Sequence, residues 1–277
     1  MRVTMIAVAV LAGLALSGCR EEALTAGEAL QTVEELSLES QALTVSSGTI
    51  ELTTSFTIGA AVEAAAEELR DFIESQLPCA EITLDGGTLT VEYGALVGEC
   101  TYHGQTYEGT HSIEIVSAAE GDVVVHHAWT ALSNGKVTVT GTADVTWSTA
   151  DGTRNVVHEL TWTRIIDGFE VTGSGNRTQA ALGGDIAVGM TIDGDRQWTS
   201  ERGDWDLGVD GVELRWVDPV PQAGAYEITT PFEGKTENKT ATVSFERVDD
   251  DTIRVTLESG DKSFDFDVSQ SGAISAE

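Results

Sequence analysis

Histidine is the first place to look for chemistry in this chain, and there are five: His103, His111, His126, His127 and His158. Adjacent His126 and His127 point to opposite faces of any strand that carries them, so they cannot share a metal. His126 and His158 occupy matching positions of an internal repeat described below, which would place them on one face of neighbouring hairpins. Two imidazoles there read more simply as polar rungs on a sheet, and no metal is expected. Asp204-Trp205-Asp206-Leu207-Gly208-Val209-Asp210-Gly211 has a D-x-D-x-G-x-D spacing reminiscent of calcium loops. It departs from the EF-hand, which wants glycine sixth and glutamate twelfth. In a chain with 46 acidic residues such pairs arise by chance, as Asp193/Asp195 and Asp265/Asp267 illustrate.

The third candidate is aromatic. All six tryptophans (Trp129, Trp147, Trp162, Trp198, Trp205 and Trp216) fall in the β-rich part, and Arg196, Arg202 and Arg215 lie close to the last three. Exposed tryptophan beside arginine and aspartate binds glycans or peptides by stacking and charged hydrogen bonds. Trp198, Trp205, Trp216 and Arg196 are therefore the candidate ligand surface, weighed against ordinary core packing. Signatures of catalysis are missing. Gly173-Ser174-Gly175 sits in a strand repeat and not at a nucleophile elbow. There is no H-E-x-x-H, no P-loop and no dinucleotide fingerprint. The chain is read as a non-enzyme that needs no cofactor.

The elements that must position these residues begin after an address. Arg2 precedes an uncharged apolar run, Val3 to Leu16, about fourteen residues long and too short for a membrane span of ~20. It ends in Leu16-Ser17-Gly18-Cys19, which resembles the lipobox of bacterial lipoproteins. The resemblance implies cleavage after Gly18, so that residues 1–18 are a signal peptide, and lipidation of Cys19 with palmitate-like chains. Three acyl chains anchor stably, at roughly 0.8 kcal/mol per buried methylene. Arg20, where an aspartate would retain the protein in the inner membrane, favours the outer membrane; periplasmic or surface exposure is open.

Net charge is −31 and loses Arg2 on cleavage, becoming about −32. Such acidity excludes general nucleic-acid binding, which needs clustered Lys and Arg. It also disfavours adhesion of the folded body to anionic lipid, so membrane contact falls to the lipid. An envelope protein or a glycan is the expected class of further partner. Beyond Cys19 only Cys79 and Cys100 remain, an even pair in an oxidising compartment. They are expected to be bridged, a loop closure contributing about 3 kcal/mol.

Residues 19–78 read as a helical segment. Thr25 and Glu28 form a capping box ahead of Ala29, Leu30, Val33 and Leu36 at helical spacing, a helix expected to fade near Thr44. Ile50, Leu52, Phe56 and Ile58 alternate as in a strand. Gly59 to Leu77 carries a second apolar stripe, stopped by Pro78. From Cys79 alternation with β-branched residues takes over, and Asn134-Gly135, Asp151-Gly152 and Asp167-Gly168 are hairpin turns. A 32-residue period runs through it: Val124-Val125-His126 recurs as Val156-Val157-His158, Val139-Thr140-Gly141 as Val171-Thr172-Gly173, and Gly109-Thr110 anticipates both glycine positions. Each unit is then one hairpin of two long strands. Gly109, Gly141 and Gly173 should form a row near a bend, and His126 and His158 should share a face.

The expected fold is mainly β, a large antiparallel meander or barrel-like sheet of repeated hairpins with two N-terminal helices packed on it. Residues 79–217 form the main β domain. After the breaker Asp218-Pro219-Val220-Pro221, residues 218–277 form a four-stranded meander, which either continues the main sheet or, the reading favoured here, forms a separate module.

Pro78-Cys79-Ala80-Glu81-Ile82-Thr83, Leu89-Thr90-Val91-Glu92-Tyr93-Gly94, Cys100-Thr101-Tyr102-His103-Gly104 and Tyr107-Glu108-Gly109-Thr110 together make a recurrent pattern. It is similar to lipoproteins of the myxobacterial type, in which a paired-cysteine, glycine-punctuated β segment follows a short helical start. The similarity implies a compartment and a β-rich fold over most of the mature chain, and brings no activity or ligand. Two function classes remain: a non-enzymatic, lipid-anchored envelope protein with a structural or binding role, and a secreted hydrolase or carbohydrate-binding accessory using Trp and Asp of the β surface.

Overall fold

The computed structural model describes residues 22–53, 61–119, 122–148, 151–230 and 238–276. The signal peptide and Cys19 lie outside the described residues, as do Phe56 and Ile58 of the expected early strand.

Helix α1 (Ala26–Leu52) opens with the capping box read from the sequence: the Thr25 hydroxyl accepts from Glu28 N (3.3 Å) and the Glu28 carboxylate accepts from Thr25 N (2.7 Å). It does not fade near Thr44, and Ile50 and Leu52 belong to its last turn rather than to a strand. The run of Ser and Thr that weakens helix propensity is offset by hydroxyls bonded back to carbonyls one turn earlier, Thr44 to Ser40 O and Ser46 to Ala42 O. Burial does the rest, since from Leu36 to Leu52 every residue except the half-buried Gln41 is buried. Helix α2 (Val62–Gln76) is conventionally amphipathic. Its buried stripe, Ala65, Ala66, Leu69 and Ile73, packs on the first strands of the sheet.

Among the described residues all the long strands belong to one antiparallel sheet of 14, in which each pairs with the next strand of the sheet in chain order: β1 (Glu81–Asp85), β2 (Thr88–Tyr93), β5 (Glu108–Ala119), β6 (Asp122–Ser133), β7 (Val137–Ser148), β8 (Thr153–Arg164), β9 (Glu170–Ala181), β10 (Gly189–Ser200), β11 (Gly203–Arg215), β12 (Ala223–Thr230), β13 (Lys239–Arg247), β14 (Thr252–Ser259), β15 (Lys262–Ser269) and β16 (Ile274–Ala276). A two-residue hairpin, β3 (Thr101–Tyr102) with β4 (Gln105–Thr106), interrupts the meander. The edges β1 and β16 do not pair with each other, so the sheet is open and not a closed barrel. Cys79 and Cys100 are joined, with Cα atoms 5.5 Å apart, tying the end of α2 to the β3 region.

The sheet wraps around α1. Strands β6, β8, β9, β10, β13 and β14 each send a side chain to the helix or to its first residues. This wrapping explains why residues 218–277 are not a separate sheet. Strand β12 pairs directly with the otherwise open edge of β11 (Leu207 opposite Ile228), and Lys239 reaches Glu28 at the start of α1 (2.7 Å).

Gly141 and Gly173 lie two strands apart in register through Leu160, as the repeat suggests. Gly109 falls at a bulge two residues off that row, where His111 stands instead. His126 and His158 lie on opposite faces. His158 aligns through Ala143 with His127, whereas His126 pairs outward with Asp144. The physical reason is the bulge at Ala131, whose φ is 50° and whose N–H donates to Thr140 Oγ1 (3.1 Å). It adds one residue to β6 between Trp129 and Leu132, and a one-residue slip exchanges the faces of a strand.

Candidate functional site

The proposed ligand surface is turned inside out. Trp198, Trp205 and Trp216 are 3%, 1% and 2% exposed and Arg196 is 3% exposed, so none can stack on a ligand outside. Trp198 and Trp205 stack on each other (5.7 Å between centroids), and Trp216 donates to Ile186 O at 2.7 Å. Alternation along a strand tells which residues share a face but not which face is inward, so this face looks exposed in the sequence. The D-x-D-x-G-x-D segment is part of β11, extended rather than looped, with Asp204, Asp206 and Asp210 facing outward.

What Arg196 faces instead is a polar seam between α1 and the sheet. Glu35, Glu39, Leu43, Ser47 and Glu51 recur every four residues along one side of α1. Opposite them, Arg154, Arg177 and Arg196 project inward from β8, β9 and β10. Arg196 pairs with Glu39, and Arg154 Nη1 lies 3.3 Å from a Glu51 oxygen. Arg202 reaches Glu35 at 3.5 Å. Arg177, only 1% exposed, meets Ser47, where this series has no carboxylate: Nη2 donates to Ser47 Oγ and Nη1 to His158 Nδ1, both at 3.4 Å. Its Nε has no partner. Burial first, and the charge of Arg196 second, push its pKa down, but a guanidinium keeps its proton in proteins. Burial holds His158 down at about 2, so it stays neutral beside this charge.

Around β5 and β6 the interior is built from neutral groups. Tyr93 OH bonds His111 Nδ1 (3.3 Å), and His111 Nε2 bonds His127 Nδ1 (2.9 Å). Both rings stack near Trp129, which donates to Thr49 Oγ1 of α1 at 3.0 Å. Burial drives His111 down to about 3, and His127 lower than its usual range for the same reason.

Of the concavities that reach solvent among the described residues, two adjoin the glycine row and the polar seam. The larger, about 760 Å³, lies on the outer face of β7–β11. Its origin is the glycine row: a side chain at Gly141 would meet Glu159 O at 2.2 Å and one at Gly173 would meet Gln197 O at 2.6 Å. Only glycine allows strands to coil this tightly, and the outer face dents accordingly. Two rungs of polar side chains pave the dent. One runs Thr140–Thr161–Thr172–Thr199–Asp204 and the other Glu159–Ser174–Gln197–Asp206, in continuous cross-strand register. Thr161 and Thr172 hydroxyls are 3.0 Å apart and Gln197 Nε2 donates to Ser174 Oγ at 3.1 Å. The smaller concavity, about 210 Å³, opens at the β7–β9 end, where Glu51, Arg154 and Gln179 form its polar part and Trp147, Ala181 and Ile186 its apolar wall. Among the described residues no group of three side chains is arranged to hold a metal ion.

No family model, no curated protein and no solved structure matches the chain.

Glu35, Glu39, Glu51, Arg154 and Arg177 are not among the residues that the sequence singles out. A signal was there: Arg154, Val156, His158, Leu160 and Trp162 alternate as one face of β8, and an arginine on a face otherwise apolar and aromatic needs a buried partner.

Proposed function

We propose that this chain is a non-enzymatic lipoprotein of the cell envelope, tethered through Cys19 to the outer membrane, and that the dented outer face of β7–β11 binds a polyhydroxylated ligand of the glycan class. The observation that carries the reading is the pair of in-register rungs, in which hydroxyl, amide and carboxylate groups repeat at strand spacing, ~4.8 Å. Such groups both donate to and accept from sugar hydroxyls, and the site exposes no cation to recruit phosphate or sulfate. Without an exposed aromatic platform the affinity should be modest.

Oligosaccharides titrated onto the purified protein test this by calorimetry. Binding weakened tenfold or more in Thr172→Val and Gln197→Leu, both outward-facing, supports the reading; binding indifferent to both overturns it. Release of shortened oligosaccharide, lost in Glu159→Gln, would instead favour the hydrolase alternative, since Glu159, Asp204 and Asp206 line the same dent and glycoside hydrolysis uses paired carboxylates. The tether is tested separately. Radioactive palmitate should label the wild type, and labelling of Cys19→Ala would refute the anchor.

A further inference from the structure

The polar seam holds three deep guanidinium groups, Arg154, Arg177 and Arg196, against two carboxylates that pair with them, Glu51 and Glu39. Glu35 lies further along and is shared with Arg202. Among the described residues one buried positive charge is therefore in excess, at Arg177: Ser47 occupies the helix position that faces it, and Glu39, the carboxylate that attracts it, is already paired with Arg196. A buried charge without a counter-charge is strongly unfavourable, and arginine cannot relieve it by losing its proton. The seam is also short of acceptors. Arg177 Nε, Arg196 Nε and Arg154 Nη2 are buried with no hydrogen-bond partner.

The chain of contacts from this charge leads to the surface. Ser47 Oγ accepts from both Arg177 and Gln179 Nε2 (3.3 Å), and Gln179 Oε1 accepts from Arg154 Nε at 2.7 Å. Arg154, 5% exposed, and Gln179 line the 210 Å³ mouth at the β7–β9 end. Glu51 lines it too, but its charge is matched by Arg154 Nη1, while Nη2 is unpartnered. The walls are Trp147, Ala181 and Ile186. A charged floor with a spare donor, a net positive seam behind it and apolar walls above define the complement of one kind of ligand.

We propose that this mouth binds a short-chain monocarboxylate, its carboxylate against the Arg154 and Gln179 side chains that line it and its alkyl chain between Trp147, Ala181 and Ile186, with the Arg177 charge supplying the field that favours an anion. This site is separate from the outer dent, so it stands or falls independently of the glycan reading.

The test is a thermal-shift and calorimetric titration of the full-length protein in detergent at matched ionic strength. Acetate, butyrate and hexanoate should bind with affinity rising several-fold per step, while butanol and butylamine do not bind. Arg177→Gln should weaken hexanoate tenfold or more. Ser47→Glu supplies the missing carboxylate from within the chain, and should abolish carboxylate binding while leaving the unliganded melting temperature unchanged or higher. Should Ser47→Glu fail to fold, Ala181→Leu decides the matter by blocking the alkyl part, removing the chain-length dependence and sparing acetate. Chloride acting as well as hexanoate would overturn the carboxylate assignment, as would no saturable shift with any of the acids.

Discussion

Helix α1 touches β6 and β8–β10 through equally polar side chains, yet the two halves of the interior keep their electrostatics quiet by different means. Around β5 and β6, Tyr93, His111 and His127 form a chain of neutral donors and acceptors beside Trp129, and burial, helped at His127 by the neighbouring His111 and Arg154, holds the imidazoles uncharged. Around β8–β10 the donors are guanidinium groups, which cannot discharge, so carboxylates from α1 must match them. A histidine can be buried singly because it can shed its proton. An arginine brings an obligation that another element has to meet, and Glu39 and Glu51, on the four-residue spacing of α1, meet most of it.

The largest effect should come from breaking a pair on the charged side. Arg196→Met leaves Glu39, 4% exposed, as a buried carboxylate without its partner, and should cost about 3–5 kcal/mol in urea unfolding. Combining it with Glu39→Leu should recover most of that loss, since two apolar side chains in place of a buried pair are close to neutral. A double variant as unstable as the single one would mean that the pair matters by shape rather than by charge. As a reference outside both halves, Cys79→Ser with Cys100→Ser should cost about 3 kcal/mol from the freed loop, and should leave the pH dependence discussed next unchanged.

The neutral side should fail through acid. The unfolded imidazole titrates near 6.5, while His111 in the fold is held at about 3. Below pH 6.5 the unfolded chain therefore takes up protons that the folded chain refuses. Stability present above 6.5 is lost as pH falls, by at most about 1.4 kcal/mol per pH unit for each such imidazole. Replacing both members of the pair, His111→Phe with His127→Leu, should flatten the pH 6.5–4 limb of the stability curve. A limb of unchanged steepness would place the acid sensitivity elsewhere, with His158 the next residue to replace.

How much of this was legible beforehand divides along the same line. The capping box at Thr25 and Glu28, the long alternating strands and the turns at Asn134-Gly135 and Asp167-Gly168 are local patterns, and they appear where the sequence puts them. The disulfide follows from a count. What was not legible depends on contacts distant in sequence. Thr44 to Leu52 stays helical because it is buried against side chains from β6, β8 and β9, which no local window contains. The bulge at Ala131 turns His126 outward and His127 inward by adding one residue that the 32-residue repeat does not reveal. The tryptophans beside Arg196 and Arg202 look like a surface in the sequence because arginine usually marks one; here Arg196 is inward and Arg202 half-buried because α1 carries their partners.

The smallest expected effect has the opposite sign to the histidines, and so sharpens the comparison most directly. Burial raises Glu35 to about 7 although Arg202 opposes the shift. Its unfolded value is near 4.5, so between 4.5 and 7 the folded chain holds a proton that the unfolded chain has released. The contribution of this group to stability is thus complete below 4.5 and declines as pH rises through 7. Glu35→Gln fixes the side chain in its uncharged form and removes that decline. At pH 8 the variant should be more stable than wild type by about 1–2 kcal/mol, and at pH 4.5 the two should be nearly equal. The wild-type curve then has a maximum set by both halves of the interior, histidines cutting it off on the acid side and Glu35 on the alkaline side. Urea unfolding of both proteins at pH 4.5, 6, 7 and 8 measures it. A Glu35→Gln protein destabilised equally at every pH would show that Glu35 is ionised throughout, and that Arg202 neutralises it as completely as Arg196 does Glu39.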